Sequence, residues 1–196
     1  MARIGEIKRT TKETDISIWL DLDGKGESTI DTGIGFFDHM LTALSKHSGI
    51  DMKISCKGDL EVDAHHSVED VGIALGKAFD QALGDKKGIT RFASAAIPLD
   101  EALSRAVVDI SGRGFIVFDA EFAGDMCGTM DTQLFEEFFR SFAFNANITL
   151  HVQNLYGTND HHKAESMFKA TARALRQAVS IDERFADQVV STKGIL

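Results

Sequence analysis

The sequence predicts an α+β protein built from two similar halves, approximately residues 1–88 and 89–196 of one domain. In each half, segments with alternating apolar residues, which are typical of half-buried strands, stand beside segments with apolar residues at helical spacing. The same motifs recur in the same order in both halves. We therefore expect a mostly antiparallel sheet with helices on one face in each half.

The elements follow one order in both halves. The alternating residues of 15–23 predict a strand, residues 23–26 a turn, and residues 27–31 its hairpin partner. Helical spacing then predicts an amphipathic helix on each side of a further strand. The predicted helices and later strands are residues 36–48, 52–55, 68–83, 102–110, 114–120, 134–145, 148–153 and 164–179.

Four pairs of matching segments indicate an internal duplication. Their offset grows from 88 to 98 residues because the second half is longer near residues 121–131, a loop-like stretch. Chance does not readily produce four matches in the same order. The matches are residues 21–26 with 109–114, Glu13 with Glu101, residues 64–69 with 160–165, and residues 50–54 with 148–152.

Composition excludes several classes of partner. A formal net charge of −9 predicts a surface that repels nucleic acid and anionic membranes. No apolar run approaches the ~20 residues of a membrane span, and residues 1–14 have no apolar signal-peptide core. Cys56 and Cys127 are not a disulfide framework, and we expect two buried thiols in a cytoplasmic protein.

Two His-His pairs predict a metal site. A glutamate follows each pair by three residues, which at a helix N-terminus places it on the same face as both histidines. Adjacent histidines point in different directions, so each pair can serve two metals, or one metal here and one in a neighbouring subunit. Imidazole and carboxylate without cysteine suit Mn, Fe or Zn. A solvated helix start explains one such motif but explains two equivalent copies poorly. The motifs are His65-His66 with Glu69 and His161-His162 with Glu165.

Other polar residues are ambiguous on sequence alone. Arg91 and Arg113 lie near glycine-containing turns, where a guanidinium can grip a phosphate with two hydrogen bonds, but sequence alone favours solvent exposure for both. Residues 191–194, Ser-Thr-Lys-Gly, either cradle a phosphate or fray. Lys169 shares a helix face with Glu165 and either forms an ordinary helical ion pair or reaches into the site. Glu13 adjoins the first long strand, and sequence alone favours a surface carboxylate there.

Three segments carry a resemblance to a known family. Residues 35–41 (Gly-Phe-Phe-Asp-His-Met-Leu), 63–70 (Asp-Ala-His-His-Ser-Val-Glu-Asp) and 160–165 (Asp-His-His-Lys-Ala-Glu) closely resemble the imidazoleglycerol-phosphate dehydratases. The likeness runs from Arg9 to residues 191–194. It implies removal of water from imidazole glycerol phosphate to give imidazole acetol phosphate in histidine biosynthesis. It also implies the ribosomal protein S5 domain 2-like fold in each half.

The resemblance further implies a site composition. Two Mn²⁺ ions per active site are expected, in a homo-oligomeric shell of twenty-four subunits built from trimers, with sites between subunits. The phosphate would meet Arg91, Arg113, Ser191 and Lys193, and Glu13, His47 and Lys169 would lie around the rest of the substrate. The metal ligands, which would also border the substrate, are His39, His65, His66, Glu69, His161, His162 and Glu165.

Glu137 departs from a common form of the family, in which a histidine precedes the Phe-Phe pair. At the 98-residue offset, His39 falls on Glu137. If His39 binds a metal, pseudo-symmetry predicts a ligand at 137, and Mn accepts oxygen as well as nitrogen. A solvated carboxylate is the alternative, because Glu136 is adjacent and both cannot face one site.

The expected reaction needs an electron sink, because the proton to be removed lies on a carbon without an adjacent carbonyl. The substrate's imidazole can be that sink if a metal favours its imidazolate form. An acid must protonate the leaving hydroxyl and a base must take the carbon proton. Glu13 is the candidate for one role, and Glu69 or Glu165, or water near them, for the other; the sequence leaves the assignment open.

Two alternatives use the same residues. A dinuclear phosphate-ester hydrolase would direct a metal-bound hydroxide at phosphorus and release inorganic phosphate. A non-enzymatic metal-storage or assembly protein would need the histidines but not Arg91, Arg113 or Lys193.

Overall fold

A computed structural model describes residues 2–196. Two four-stranded sheets and four long helices make up most of the molecule. The first half contains β1 (Ile4–Thr10), β2 (Thr14–Asp21), β3 (Ser28–Asp31), α1 (Gly35–Ser48), β4 (Asp51–Gly58) and α2 (His65–Leu83). The second half contains β5 (Phe92–Leu99), β6 (Ala102–Asp109), β7 (Phe115–Asp119), β8 (Met126–Cys127), β9 (Met130–Asp131), α3 (Leu134–Asn145), β10 (Thr149–Tyr156), α4 (Asp160–Ala178) and a 3₁₀ turn (Glu183–Phe185).

The two halves share one sheet topology. The strand orders are β1-β2-β4-β3 and β5-β6-β10-β7, so each position in the first sheet has its equivalent in the second. In each sheet two strand pairs are antiparallel and the last pair, β3 with β4 or β7 with β10, is parallel. The predicted α+β fold of two similar, mostly antiparallel half-domains is confirmed. The loop-like insertion in the second half contains the short hairpin β8–β9.

The predicted hairpin between residues 15–23 and 27–31 is wrong. Strand β3 pairs in parallel with β4, where Ile30 lies opposite Ile54, and it does not contact β2. Both edges of β2 are already occupied, by β1 and β4. The turn after β2 therefore carries the chain to the far edge of the sheet, and α1 brings it back so that β4 fills the gap between β2 and β3.

The helices lie between the two sheets. Helix α2 packs on β1 and β2, α4 packs on β5 and β6, and across the midline α1 contacts α4 while α2 contacts α3. Edge-to-face phenylalanine pairs join the halves, with ring centroids 5.3 Å apart for Phe37 and Phe138 and 5.6 Å apart for Phe79 and Phe142. The buried side chains form one continuous core, which fixes the helix ends that carry the histidines.

Glycines allow α2 to approach α3 closely. A Cβ at Gly76 would lie 2.6 Å from the carbonyl oxygen of Phe142, and one at Gly72 would lie 2.9 Å from the Cβ of Ser141. A larger residue at either position would push the helices apart. Within residues 2–196, no helix combines the length and the apolar character that crossing a membrane requires.

Candidate active site

Both His-His pairs lie at the start of a helix. Before α2, the carboxylate of Asp63 accepts a hydrogen bond from the backbone N–H of His65 at 2.7 Å. Before α4, the Asn159 side chain accepts from the backbone N–H of His162 at 3.2 Å. Such hydrogen bonds satisfy N–H groups at a helix start that have no partner within the helix. The two rings of each pair stand nearly perpendicular, at 88° in the first pair and 82° in the second. The two histidine rings of each pair therefore face different directions.

Helices α1 and α4 bring three candidate ligands together. Nε2 of His39 lies 3.2 Å from Oε2 of Glu165, and Nε2 of His161 lies 3.1 Å from the same oxygen. One nitrogen or oxygen atom of each residue falls within 4.8 Å of the others. Among residues 2–196, no other trio of histidine, cysteine or acidic residues is so close. Two imidazoles and one carboxylate are a donor set that suits a borderline to hard divalent cation.

A lysine keeps this cluster's carboxylate ionised. Burial alone would favour the neutral form of Glu165, whose side chain is 14% exposed. The Lys169 ammonium, 2.6 Å from Oε1, outweighs that effect together with His161 and His39, and lowers the pKa of Glu165 to about 2. Burial and the nearby Lys169 lower the pKa of His47, which favours its neutral ring. At neutral pH the site thus presents a negative carboxylate, which is the form that binds a cation.

The pseudo-equivalent trio of His65, Glu69 and Glu137 is not assembled in the described chain. Glu137 projects from α3, which packs on α2, just as His39 projects from α1, which packs on α4. Its Oε2 instead lies 3.1 Å from the guanidinium of Arg140, one helical turn away, and its side chain is 18% exposed. The helix arrangement therefore supports the equivalence of His39 and Glu137, while the ligand atoms remain apart.

The predicted phosphate residues gather at one end of the second sheet. The guanidinium of Arg91 donates two hydrogen bonds to Asp109, at 2.7 and 3.2 Å, and a third to the carbonyl of Val190 at 2.6 Å. This anchors the segment that carries Ser191 and Lys193 beside β5. Arg113 is exposed, and its only hydrogen bond to a described residue from the side chain is to the carbonyl of Ser111.

Two groups of candidate residues lie far apart within one chain. We call them the cation cluster (Arg91, Arg113, Ser191 and Lys193) and the histidine cluster (His39, His161, His162 and Glu165). Arg91 directly precedes β5, whereas Glu101, which bonds the His162 ring, lies in the turn that follows it. Strand β5 has eight residues, and a strand rises about 3.3 Å per residue, so the two ends are roughly 25 Å apart. One small substrate cannot span both clusters of the same chain.

The chain matches a family model described as imidazoleglycerol-phosphate dehydratase over residues 32–175. The chain belongs to the imidazoleglycerol-phosphate dehydratase family. Dehydratases of this name from Gluconobacter oxydans and Acidiphilium cryptum are 59% and 57% identical to it; each alignment covers 100% of this chain, and 98% and 100% of the relative. The family is one of hydro-lyases, so the prediction of a dehydratase is confirmed at this level, and no comparison favours the hydrolase alternative.

Solved dehydratase structures share the fold. The Staphylococcus aureus imidazoleglycerol-phosphate dehydratase is 41% identical, with a TM-score of 0.83 over 91% of this chain and 99% of its own. The Pyrococcus furiosus enzyme is 37% identical, also with a TM-score of 0.83, over 97% of this chain and 100% of its own. The duplicated half-domain is thus the architecture of this dehydratase family.

Two carboxylates beside the histidines were not predicted for this dehydratase. Asp59 hydrogen-bonds Nδ1 of His66 at 3.0 Å and raises the pKa of that histidine. Glu101 hydrogen-bonds Nδ1 of His162 at 2.7 Å, which raises the pKa of His162 and holds the pKa of Glu101 well below its usual range. The repeat match of Glu13 with Glu101 could have indicated that Glu101 lies near the site. No such match indicates Asp59, because Gly157 occupies the equivalent position in the second half.

Proposed function

We propose that this chain dehydrates imidazole glycerol phosphate to imidazole acetol phosphate, in histidine biosynthesis and in the cytoplasm, with two Mn²⁺ ions per active site. The observation that carries the proposal is the convergence of His39, His161 and Glu165 in a member of this family. Bound Mn²⁺ would supply the positive charge that favours the imidazolate form of the substrate ring.

The second metal set is proposed from pseudo-symmetry. His65, Glu69 and Glu137 stand on α2 and α3 as His161, Glu165 and His39 stand on α4 and α1. The remaining ring of each pair, His66 or His162, points in the other direction and would complete a site with a neighbouring subunit. One imidazole and two carboxylates are a donor set that suits Mn²⁺.

The separation of the two clusters supports an active site shared between subunits. Arg91, Arg113, Ser191 and Lys193 would hold the phosphate of a substrate whose imidazole meets the histidines of another chain. The proposed assembly is the shell of twenty-four subunits built from trimers that the family resemblance implies. In such an assembly metal binding also contributes association free energy.

The lowered pKa of Glu165 reduces the number of candidates for the acid and base of the reaction. A carboxylate with a pKa of about 2, as in Glu165, is a weak base and is suited to hold a cation. Glu13 lies on the β1–β2 turn, 53% exposed, with Oε1 3.9 Å from Nε2 of His66. It is therefore proposed for one proton transfer, and Glu69 or water near it for the other, with His47 and Lys169 bordering the substrate.

The proposal is tested by turnover of imidazole glycerol phosphate before and after metal removal, and after Mn²⁺ is restored. We expect activity to vanish and return, with a ketone product and no inorganic phosphate. Phosphate release without the ketone would establish the hydrolase instead.

The shared site is tested by sedimentation. Chelation, or acidification below the ~6.5 reference pKa of histidine, should reduce the oligomer to a smaller unit, since protonated imidazoles cannot bind a metal. Sedimentation that does not change after verified metal removal would contradict the shared site.

A further inference from the structure

The second histidine of each pair is held in the same way in both halves, but by carboxylates from different positions. Nδ1 of His162 bonds Glu101 at 2.7 Å, and Nδ1 of His66 bonds Asp59 at 3.0 Å. Glu13, the repeat partner of Glu101, does not take the equivalent place. It faces the opposite ring nitrogen of His66, Nε2, at 3.9 Å.

Glu101 is fully committed to structure. Besides His162, its carboxylate accepts hydrogen bonds from the backbone N–H groups of Thr158 and Asn159, at 3.0 and 2.7 Å. It therefore joins the β5–β6 turn to the segment that precedes α4. The Thr158 hydroxyl also donates to it, at 3.3 Å. A carboxylate with four such donors is stabilised in its ionised form and is a poor proton carrier.

In the first half, the β1–β2 turn is also joined to the segment before the histidine-bearing helix, but the Glu13 side chain takes no part in this connection. The backbone N–H of Asp59 donates to the carbonyl of Glu13 at 3.1 Å, so the β1–β2 turn is joined to the segment before α2 through the main chain. The Asp59 carboxylate is hydrogen-bonded to Nδ1 of the His66 ring. The Glu13 side chain makes no hydrogen bond to any residue of 2–196 and is 53% exposed.

We propose that Asp59 is a positioning residue that fixes His66 through Nδ1, so that Nε2 is presented to a metal ion and Glu13 is left free for proton transfer. Glu101 performs the fixing role for His162 in the second half. The claim about Glu13 rests on the proposed function above, whereas the claim about His66 requires only that the protein binds a divalent cation.

The chemistry of a metal-binding histidine supports this division. A carboxylate on one ring nitrogen fixes the tautomer and the orientation of the ring, and leaves the lone pair of the other nitrogen for the metal. Removal of such a carboxylate typically weakens metal affinity about 10- to 100-fold. Removal of a free acid–base group should instead lower turnover and leave metal affinity unchanged.

The test compares Asp59→Ala, Glu101→Ala and Glu13→Ala in the intact oligomer. Free Mn²⁺ is titrated by its electron paramagnetic resonance signal, and kcat and KM are measured at saturating Mn²⁺. We expect the first two variants to weaken Mn²⁺ binding about 10- to 100-fold. Glu13→Ala should bind Mn²⁺ like the wild type, while its kcat falls about 10²-fold or more.

Asp59→Asn keeps an acceptor oxygen, and it replaces Asp59→Ala in the comparison if the alanine variant folds poorly. It should give an intermediate Mn²⁺ affinity. Wild-type Mn²⁺ affinity in both Asp59 variants, or an equal loss of affinity in Glu13→Ala, would overturn the positioning role. Full kcat in Glu13→Ala would refute the proposed catalytic role of Glu13, while weakened binding in Asp59→Ala would still support the fixing of His66.

Discussion

The helix pairs α1–α4 and α2–α3 each join one helix from either half and are equivalent by the repeat, but only the first pair assembles its candidate ligands. Glu165 has Lys169 one turn further along α4, and His47 lies nearby on α1. At the repeat offsets the corresponding residues of the second pair are Ile73 and Asn145, which carry no charge. In the first helix pair, the Lys169 ammonium lies next to the Glu165 carboxylate and stabilises the cluster without a metal. In the second helix pair, Glu137 pairs with Arg140 on its own helix instead.

The largest expected effect comes from removing the charge of Glu165. As a proposed ligand, Glu165→Gln should lose one Mn²⁺ per subunit, because the amide lacks the negative charge that holds the cation. Loss of the several kcal/mol that a metal ion contributes to charge stabilisation should lower kcat by about 10³-fold. The matched variant Glu69→Gln changes the equivalent position on α2. Kinetics and Mn²⁺ counts on both variants make the measurement.

Thermal unfolding of the metal-free proteins sharpens this comparison. Only Glu165→Gln should lower the free energy of unfolding, since Glu165 alone has hydrogen-bonding partners in His39, His161 and Lys169. Equal destabilisation by Glu69→Gln would mean that the two clusters are equally preassembled.

A second comparison concerns arginines at the ends of the two sheets. Arg3, 88 residues before Arg91, repeats its contacts: two hydrogen bonds to Asp23 and one to the carbonyl of Val179 at 2.6 Å. Arg3 makes similar contacts in the half without a predicted phosphate contact, although its partner Asp23 lies two residues beyond Asp21, the repeat equivalent of Asp109. We therefore interpret this pairing as a structural device that closes a sheet end. Arg91 therefore combines a structural role with its proposed phosphate contact, whereas the exposed Arg113 side chain donates one hydrogen bond, to the carbonyl of Ser111, beside its proposed phosphate contact.

Alanine variants separate these roles. A charge-assisted contact is worth about 1.5–3 kcal/mol, so Arg113→Ala should lower kcat/KM tenfold to hundredfold, mainly through KM, without loss of stability. Arg91→Ala should lower both kcat/KM and Tm, and Arg3→Ala should lower Tm alone. A near wild-type KM in Arg113→Ala would show that this arginine is only a surface cation.

The sequence predicted what depends on local pattern and repetition. Strand β2, the four helices and the equivalence of His39 with Glu137 follow from periodicity and offsets. The partner of β3 did not, because strand pairing is decided by which edges remain open once all strands have packed. The bonds of Asp59 to His66 and of Arg91 to Asp109 also required coordinates, since each joins residues that no motif connects.

The smallest expected effect comes from Glu137, with its neighbour Glu136 as the control. Both pair with Arg140, but the Glu136 side chain is 49% exposed and that of Glu137 is 18% exposed. As a proposed ligand, Glu137→Gln should weaken one Mn²⁺ about tenfold, which is about 1.4 kcal/mol. Glu137→His should retain both ions because Mn²⁺ accepts nitrogen as well as oxygen.

Glu136→Gln removes an exposed ion pair worth at most about 0.5 kcal/mol and should leave Mn²⁺ binding unchanged. The measurement is Mn²⁺ counted per subunit in the wild type, Glu137→Gln, Glu137→His, Glu137→Ala and Glu136→Gln. Full occupancy and activity in Glu137→Ala would leave His39 without a counterpart in the second half. The asymmetry between the helix pairs would then be a permanent difference in ligand number rather than a difference in how far each site is assembled before the metal binds.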